Sequence, residues 1–512
     1  MAVPPVFVLL FVVASVVAIA AGRLRVPYTV ALVVAGLVLG ALHLFEPPHL
    51  TKELLFTLIL PGLLFEAAFH VEFSEFWRDR LPILALAIPG VVLATALTAA
   101  LLVPLARPLG FTPDFHWPHG LLFGALIAAT DPIAVVGLFR TLGAPRRLSL
   151  LVEGESLLND GTAIVFFTLA LGLVSGHTVS PGGIAVDFVR VVGSGILIGV
   201  AIGVALSQVI RRVDDPMVEI TLSTVAAYGT FIVAEQFHYS GVIATVTAGM
   251  LCGNYGARMG MSPSTRIAAD TFWEYVAFAL NSIVFLLIGF EVRVGDLAAS
   301  WPAILVAYGA VILTRAAVVL GASGLLRFTR DRIPTSWAGV LTWGGLRGAL
   351  SMVLALSLPA DFPSRSLVVT MTFGVVVLSI LVQGVSMSAL LRWLGLVADH
   401  GARSAYALAQ GKLRAANAAL QTIEAMSHAR AAPPEVLGVV RQEYETRVAA
   451  IEQQVERLRL VEEHLREDEF QETRRHLLLV EKDLAIDLYH RGTLDREAYE
   501  ALLADIDARL LQ

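Results

Sequence analysis

Apolar residues run along most of this chain in blocks of about twenty, cut by short polar stretches. Beyond about residue 398 they recur instead three or four apart among charged residues. Blocks of that length cross roughly 30 Å of hydrocarbon as helices. The pattern predicts thirteen of them, over about 4–22, 27–45, 51–70, 81–106, 118–139, 149–175, 184–210, 217–237, 240–257, 271–291, 301–326, 335–358 and 366–394. In the tail, the 3.6-residue period predicts helices over 403–428 and 434–466, divided at Pro433 and Pro434. A third follows over about 468–490, and a short amphipathic helix over Asp495–Leu511. Val439, Val440, Tyr444, Val448 and Ile451 form the stripe expected to pack in a small bundle or on a partner helix.

Composition agrees with the blocks. Hydrophobic residues make up 56% and charged residues 16% of the 512, where a soluble domain carries about a quarter charged. The mean hydropathy is +0.73. Residues 401–512 carry 35 of the 80 charged residues, so the chain divides into a membrane part, 1–398, and a polar part, 399–512. One cysteine, Cys252, excludes a disulfide within the chain. The first block has no Lys or Arg before it and Arg23 and Arg25 after it, the polarity of an uncleaved helix with its N-terminus outside. With that orientation fourteen loop arginines fall on the cytoplasmic side and four loop cations outside. That bias predicts N-out, C-in, an odd number of crossings and a cytoplasmic tail.

Two blocks are poor helices. The fifth is interrupted at Thr130-Asp131-Pro132, where Pro132 lacks a backbone N–H and disfavours helix at Asp131. The twelfth carries Gly344-Gly345-Leu346-Arg347-Gly348. Unwound backbone at membrane depth needs protein or a water-filled cavity around it. The breaks are fifth among the first six blocks and fifth among the last six, which predicts an inverted repeat with the seventh block as linker. Broken helices so paired point to a transporter's binding site. A proline kink and a glycine packing face would be the bland explanation. Against it, ionisable groups sit at the same places: Asp131 in the fifth block, and Glu155 and Asp160, with Asn159 beside them, in the sixth. Ionised acids at membrane depth are costly, and handling ions or protons is the usual reason to keep them.

These residues carry a family resemblance. Ala129-Thr130-Asp131-Pro132, Gly154-Glu155-Ser156-Leu157-Leu158-Asn159-Asp160 and Gly344-Gly345-Leu346-Arg347-Gly348-Ala349 resemble the signature segments of the cation/proton antiporters. They are most similar to the NhaP/NHE branch of sodium/proton exchangers. The likeness spans about residues 5–395, and Phe285-Leu286-Leu287-Ile288-Gly289-Phe290-Glu291 shares it. It implies an all-α multi-pass fold in the plasma membrane, working as a homodimer. Interface helices would cover about 4–70 and 217–291. A six-helix core, about 81–175 and 301–394, would move by an elevator-like step.

The residues support an ion site on their own chemistry. Ser156 and Asp160, four apart, share a helix face, with Asn159 beside them expected among the ion-binding residues and Glu155 on an adjoining strip. A hard monovalent cation wants oxygen ligands. Asp160 and Asp131 would supply charge, and Ser156 and Thr130 neutral oxygens. Burial makes a carboxylate hold a proton more tightly and a nearby cation reverses the preference. One acid that holds either H⁺ or Na⁺, never both, is the core of an exchanger. Asn159 stands where the electrogenic branch has a second Asp, so the resemblance implies electroneutral exchange of Na⁺ for H⁺. It also pairs Glu155 with Arg315, a structural ion pair. Arg347 is expected either to neutralise helix C-terminal dipoles or to be an ordinary cytoplasmic-side cation. Glu66 is expected either to line the ion path or to make an interhelical hydrogen bond.

No cofactor is expected beyond the transported ions, no enzyme activity, and no nucleic-acid partner: Cys/His metal spacing, a P-loop and a dinucleotide-binding glycine pattern are all missing. The histidines are candidate pH sensors with none singled out. The tail reads as a regulatory domain with an unknown ligand or partner, or as a passive solubilising segment. K⁺/H⁺ or Li⁺/H⁺ exchange on the same scaffold stays open, as do a sodium-coupled symporter and an ion-gated sensor.

Overall fold

The computed structural model describes residues 3–24, 27–42, 51–106, 115–174, 181–213, 215–256, 263–329, 331–359, 364–397, 400–428 and 433–461, with isolated positions elsewhere. The described elements are helical, with no strand among them. They divide into two compact units, Met1–Leu396 and Val397–Gln512.

In the first unit the helices are α1 (Val3–Leu24), α2 (Tyr28–Ala41), α3 (Leu60–His70), α4 (Arg80–Ala87), α5 (Pro89–Ala106), α6 (Trp117–Ala128), α7 (Ile133–Leu142) and α8 (Arg146–Val174). There follow α9 (Pro181–Ile210), α10 (Pro216–Gln236), α11 (Gly241–Leu251), α12 (Pro263–Glu291), α13 (Trp301–Leu326), α14 (Thr335–Trp343), α15 (Ala349–Leu356), α16 (Arg365–Leu378) and α17 (Val385–Trp393). Among the described residues, eight stretches are long and apolar enough to cross a membrane, and three shorter apolar helices accompany them. The blocks predicted at 240–257 and 335–358 are built differently. The first is α11 running into a π turn at Cys252–Gly256, and the second is the half-helices α14 and α15. Length alone therefore does not count the expected thirteen crossings, because breaks and π turns shorten the regular runs.

Two groups of helices pack among themselves: α1, α2, α3, α10, α11 and α12 in one, and α5, α6, α8, α13, α15 and α16 in the other. In the first group, α2 and α12 meet backbone to backbone. A Cβ on Gly36 would run into the Leu286 carbonyl and one on Gly289 into the Val33 carbonyl, the close approach that small residues permit where lipid supplies no hydrophobic drive. Phe65, Phe69 and Trp273 join α3 to α12, and the Trp273 indole donates to Ser223 Oγ at 3.0 Å. In the second group, Arg147 Nε reaches the buried Asp79 at 2.7 Å, and Arg146 reaches Glu72 at 2.9 Å and Glu75 at 3.1 Å. Two of the arginines counted as loop cations thus tie α8 to the segment before α4.

In the second unit, α18 (His400–His428) and α19 (Pro434–Val461) pack through Ala409, Leu413, Ile451 and Val455. Arg441 pairs with Glu445 at 2.8 Å and Glu424 at 3.7 Å. Val440, Tyr444, Val448 and Ile451 lie on the more buried face as predicted, but Val439 is 70% exposed. The helices predicted over 468–490 and Asp495–Leu511 lie outside the described residues apart from isolated positions.

Candidate ion site

Both predicted breaks are present. The chain leaves α6 at Ala128, runs extended through Ala129, and re-enters helix at Ile133. Later it leaves α14 at Trp343 and re-enters helix at Ala349. The breaks touch: the Asp131 N–H donates to the Leu346 carbonyl at 2.8 Å. A Cβ on Gly348 would lie 2.6 Å from Asp131, so the second break must be glycine there for the first to fit against it.

Each break leaves helix-end carbonyls without partners, and at membrane depth these must be satisfied by protein. Arginines do this twice. Arg347 Nη1 donates to the Ala128 carbonyl at 2.8 Å and the Ala129 carbonyl at 3.2 Å, at the end of α6. Arg315 donates to the Leu341 carbonyl near the end of α14, from Nε at 3.1 Å and Nη2 at 3.0 Å. Arg315 also grips both carboxylate oxygens of Glu155, through Nη1 to Oε1 and through Nη2 to Oε2 at 2.7 Å. Arg347 is only 4% exposed, so it is a buried helix cap rather than a loop cation.

The helix N-termini behave oppositely. Asp131 sits just before α7, where its carboxylate accepts the Ile133 N–H at 3.0 Å, a favourable place for negative charge. Thr130 is fixed from α8. Ser156 Oγ donates to its carbonyl, and Asn159 Nδ2 donates to its hydroxyl at 2.6 Å. With its proton committed to Thr130, the Ser156 hydroxyl keeps its lone pairs for a cation. The Asp160 carboxylate has no hydrogen-bond donor among the described residues, and Asp131 lies within its electrostatic reach.

These groups surround a cavity of about 120 Å³, lined by Thr130, Asp131, Ser156 and Asp160, by Gly348 and Ala349, and by Glu66 of α3. Asn159 does not line it; it stands behind Thr130, and Glu155 points away to Arg315. Glu66 lines the cavity and lies 3.3 Å from His70 Nδ1, while His70 Nε2 is 3.8 Å from Asp270. Sequence reasoning passed over two polar lining residues, Glu153 and Asn281. The helical period could have found Glu153, which lies three before Ser156 and seven before Asp160 on the same face. Asn281 is the carboxamide inside the run 277–290, whose one other polar residue is Ser282.

A family model described as "Sodium/hydrogen exchanger, transmembrane" matches residues 8–393. The Na(+)/H(+) antiporter ApNhaP of Aphanothece halophytica is 39% identical over 80% of this chain and 76% of its own length. The Na(+)/H(+) antiporter NhaG of Bacillus atrophaeus is 34% identical over 88% of this chain and 86% of its own. Among solved structures, the sodium proton antiporter MjNhaP1 from Methanocaldococcus jannaschii superposes with a TM-score of 0.62 at 21% identity, over 76% of this chain and 98% of that one. At that identity the likeness is one of fold.

Proposed function

The chain belongs to the sodium/hydrogen exchanger family, and on that premise we propose that it exchanges Na⁺ for H⁺ across the membrane without net charge movement. The observation that carries this reading is the pair Asp131 and Asp160 lining one cavity at the crossing of two broken helices. Asp160 is the alternately loaded group. An ionised carboxylate away from water is costly unless paired, and no protein donor among the described residues serves this one. It therefore takes a proton or a cation, and each displaces the other. Asp131, Ser156 and Thr130 complete the oxygen shell of Na⁺, and Li⁺ fits the same hard ligands.

Charge balance supports the stoichiometry. Arg315 offsets Glu155 in a bidentate pair, whereas Asp160 has no cation paired with it among the described residues and is offset by one monovalent ion. Na⁺ or H⁺ on Asp160 cancels the same single charge, so the two loaded forms of the core carry equal net charge; the empty form carries one more negative charge. The loaded core is the form that crosses, which enforces exchange over leak. The core helices, about 81–175 and 301–394, move as an elevator against interface helices that form a homodimer. The tail is a cytoplasmic regulatory domain, and the N-terminus lies outside.

The test is dissipation of an imposed pH gradient in proteoliposomes on adding Na⁺, Li⁺ or K⁺. Na⁺ and Li⁺ are expected to dissipate it at rates insensitive to membrane potential. Folded Asp160→Asn is expected to be silent. Near-normal transport in that variant, or a response to K⁺ alone, defeats the proposal.

A further inference from the structure

The cavity has two unlike walls. One carries the acids and the breaks. The other is built from α3, the turn before it and α12, and is apolar at Leu55, Ile59 and Leu63; its polar members are Glu66 and Asn281. Asn281 is 8% exposed, within a run of buried aliphatic and aromatic residues. Its neighbour Ser282 is satisfied, with Tyr28 Oη at 2.7 Å and the Phe278 carbonyl at 2.5 Å. Asn281 Oδ1 is buried with no hydrogen-bond partner among the described residues. An unpaired buried amide oxygen destabilises a fold, and an aliphatic side chain of similar size would not. The carboxamide is thus kept for an interaction that the protein's own contacts do not supply. Its terminal torsion is soft, so Oδ1 can turn about that bond beside the cavity that the acids also line.

We propose that Asn281 determines cation specificity: its carboxamide oxygen takes one place in the shell of the cation held by Asp160 and Asp131, replacing a water. This rests on the cation-exchange reading above and extends it to the choice among Na⁺, Li⁺ and K⁺. Carboxylates attract any small monovalent cation, whereas discrimination by size comes from the number and field strength of neutral oxygen dipoles that replace hydration. Thr130 and Ser156 supply such dipoles from the acid wall. Asn281 supplies one from the opposite wall, so the ion is enclosed from both sides. In this conformation α12 packs against α15, which sets that separation while the ion loads, and a larger ion does not gain the same contact without widening it.

The experiment is initial-rate transport in proteoliposomes as a function of Na⁺, Li⁺ and K⁺ concentration, for wild type and Asn281→Leu. The variant is expected to raise the KM for Na⁺ about tenfold, and to narrow the Na⁺/K⁺ preference by a similar factor, with the maximal rate little changed. Asn281→Thr, which returns one oxygen, recovers part of both losses. A purely structural role would move thermal stability and leave the cation preference alone; that result overturns the inference. Should Asn281→Leu fail to accumulate, Asn281→Ala is measured and judged in the same way. A wild type without cation-driven proton movement defeats the exchange reading itself. A working wild type whose folded variants keep its KM values and cation preference defeats only the assignment of Asn281.

Discussion

The two broken helices meet the same physical demand with opposite charges. Each ends one half-helix at membrane depth, exposes carbonyls there, and has them capped by an arginine from another part of the chain. Each starts a second half-helix whose N-terminal end lines the cavity. The first break is made by proline and carries Asp131; the second is made by glycine and carries Arg347. What the breaks share, the arginine caps, is the requirement of the fold. What differs, the carboxylate, is the part free to meet an ion. One cap is also crossed: Arg347 sits in the second break yet closes the first, so the first break depends on the second.

The largest effect is expected where cap and ion pair coincide. Arg315→Ala strands the buried Glu155 and uncaps Leu341, and removing one partner of a buried pair costs about 3–5 kcal/mol. Folded yield and thermal stability in detergent should fall sharply. Glu155→Ala should also fall, but less, because Leu341 keeps its cap. The double variant should lose less than the sum of the two. Abundant, folded but inactive Glu155→Ala would instead give that residue a direct part in transport.

Arg347→Met sharpens the comparison from the other side. It removes hydrogen bonds from a charged group to Ala128 and Ala129, each worth about 1.5–3 kcal/mol. Stability should fall, and exchange should be lost in whatever folds. Wild-type stability in Arg347→Met would mean that the first break does not depend on the second.

Much of this arrangement was legible in the chain because its signals are local. A proline after an acid and three glycines around a cation announce broken helices wherever they fall in an apolar block. The Glu155–Arg315 pair was reached through family likeness, supported by the implausibility of a lone arginine amid hydrocarbon. The partners of Arg347 were not legible, since they lie 218 and 219 residues away and are met only when the breaks cross. Nor was the division of labour on α8, where Asn159 turns out to hold Thr130 instead of facing the cavity. Val439 was misplaced for a plainer reason: adjacent valines cannot both face one neighbour on a helix, and packing chose Val440.

The smallest effect tests how closely the breaks fit. A Cβ on Gly348 would lie 2.6 Å from both Cβ and Oδ2 of Asp131, which is pinned by its own N–H to Leu346 and by Ile133. Gly348→Ala must therefore shift the carboxylate or part the breaks, at a cost of about 1–3 kcal/mol for overpacking. A Cβ on Gly345 would approach Arg315 Nε at 2.9 Å, a side chain held by Glu155 and Leu341 that supplies none of the transported ion's ligands. Transport should separate the two: Gly348→Ala should raise the KM for Na⁺, whereas Gly345→Ala should leave it near wild type while modestly lowering stability. An equal rise in both would mean that the acid of the first break is not positioned by the backbone of the second.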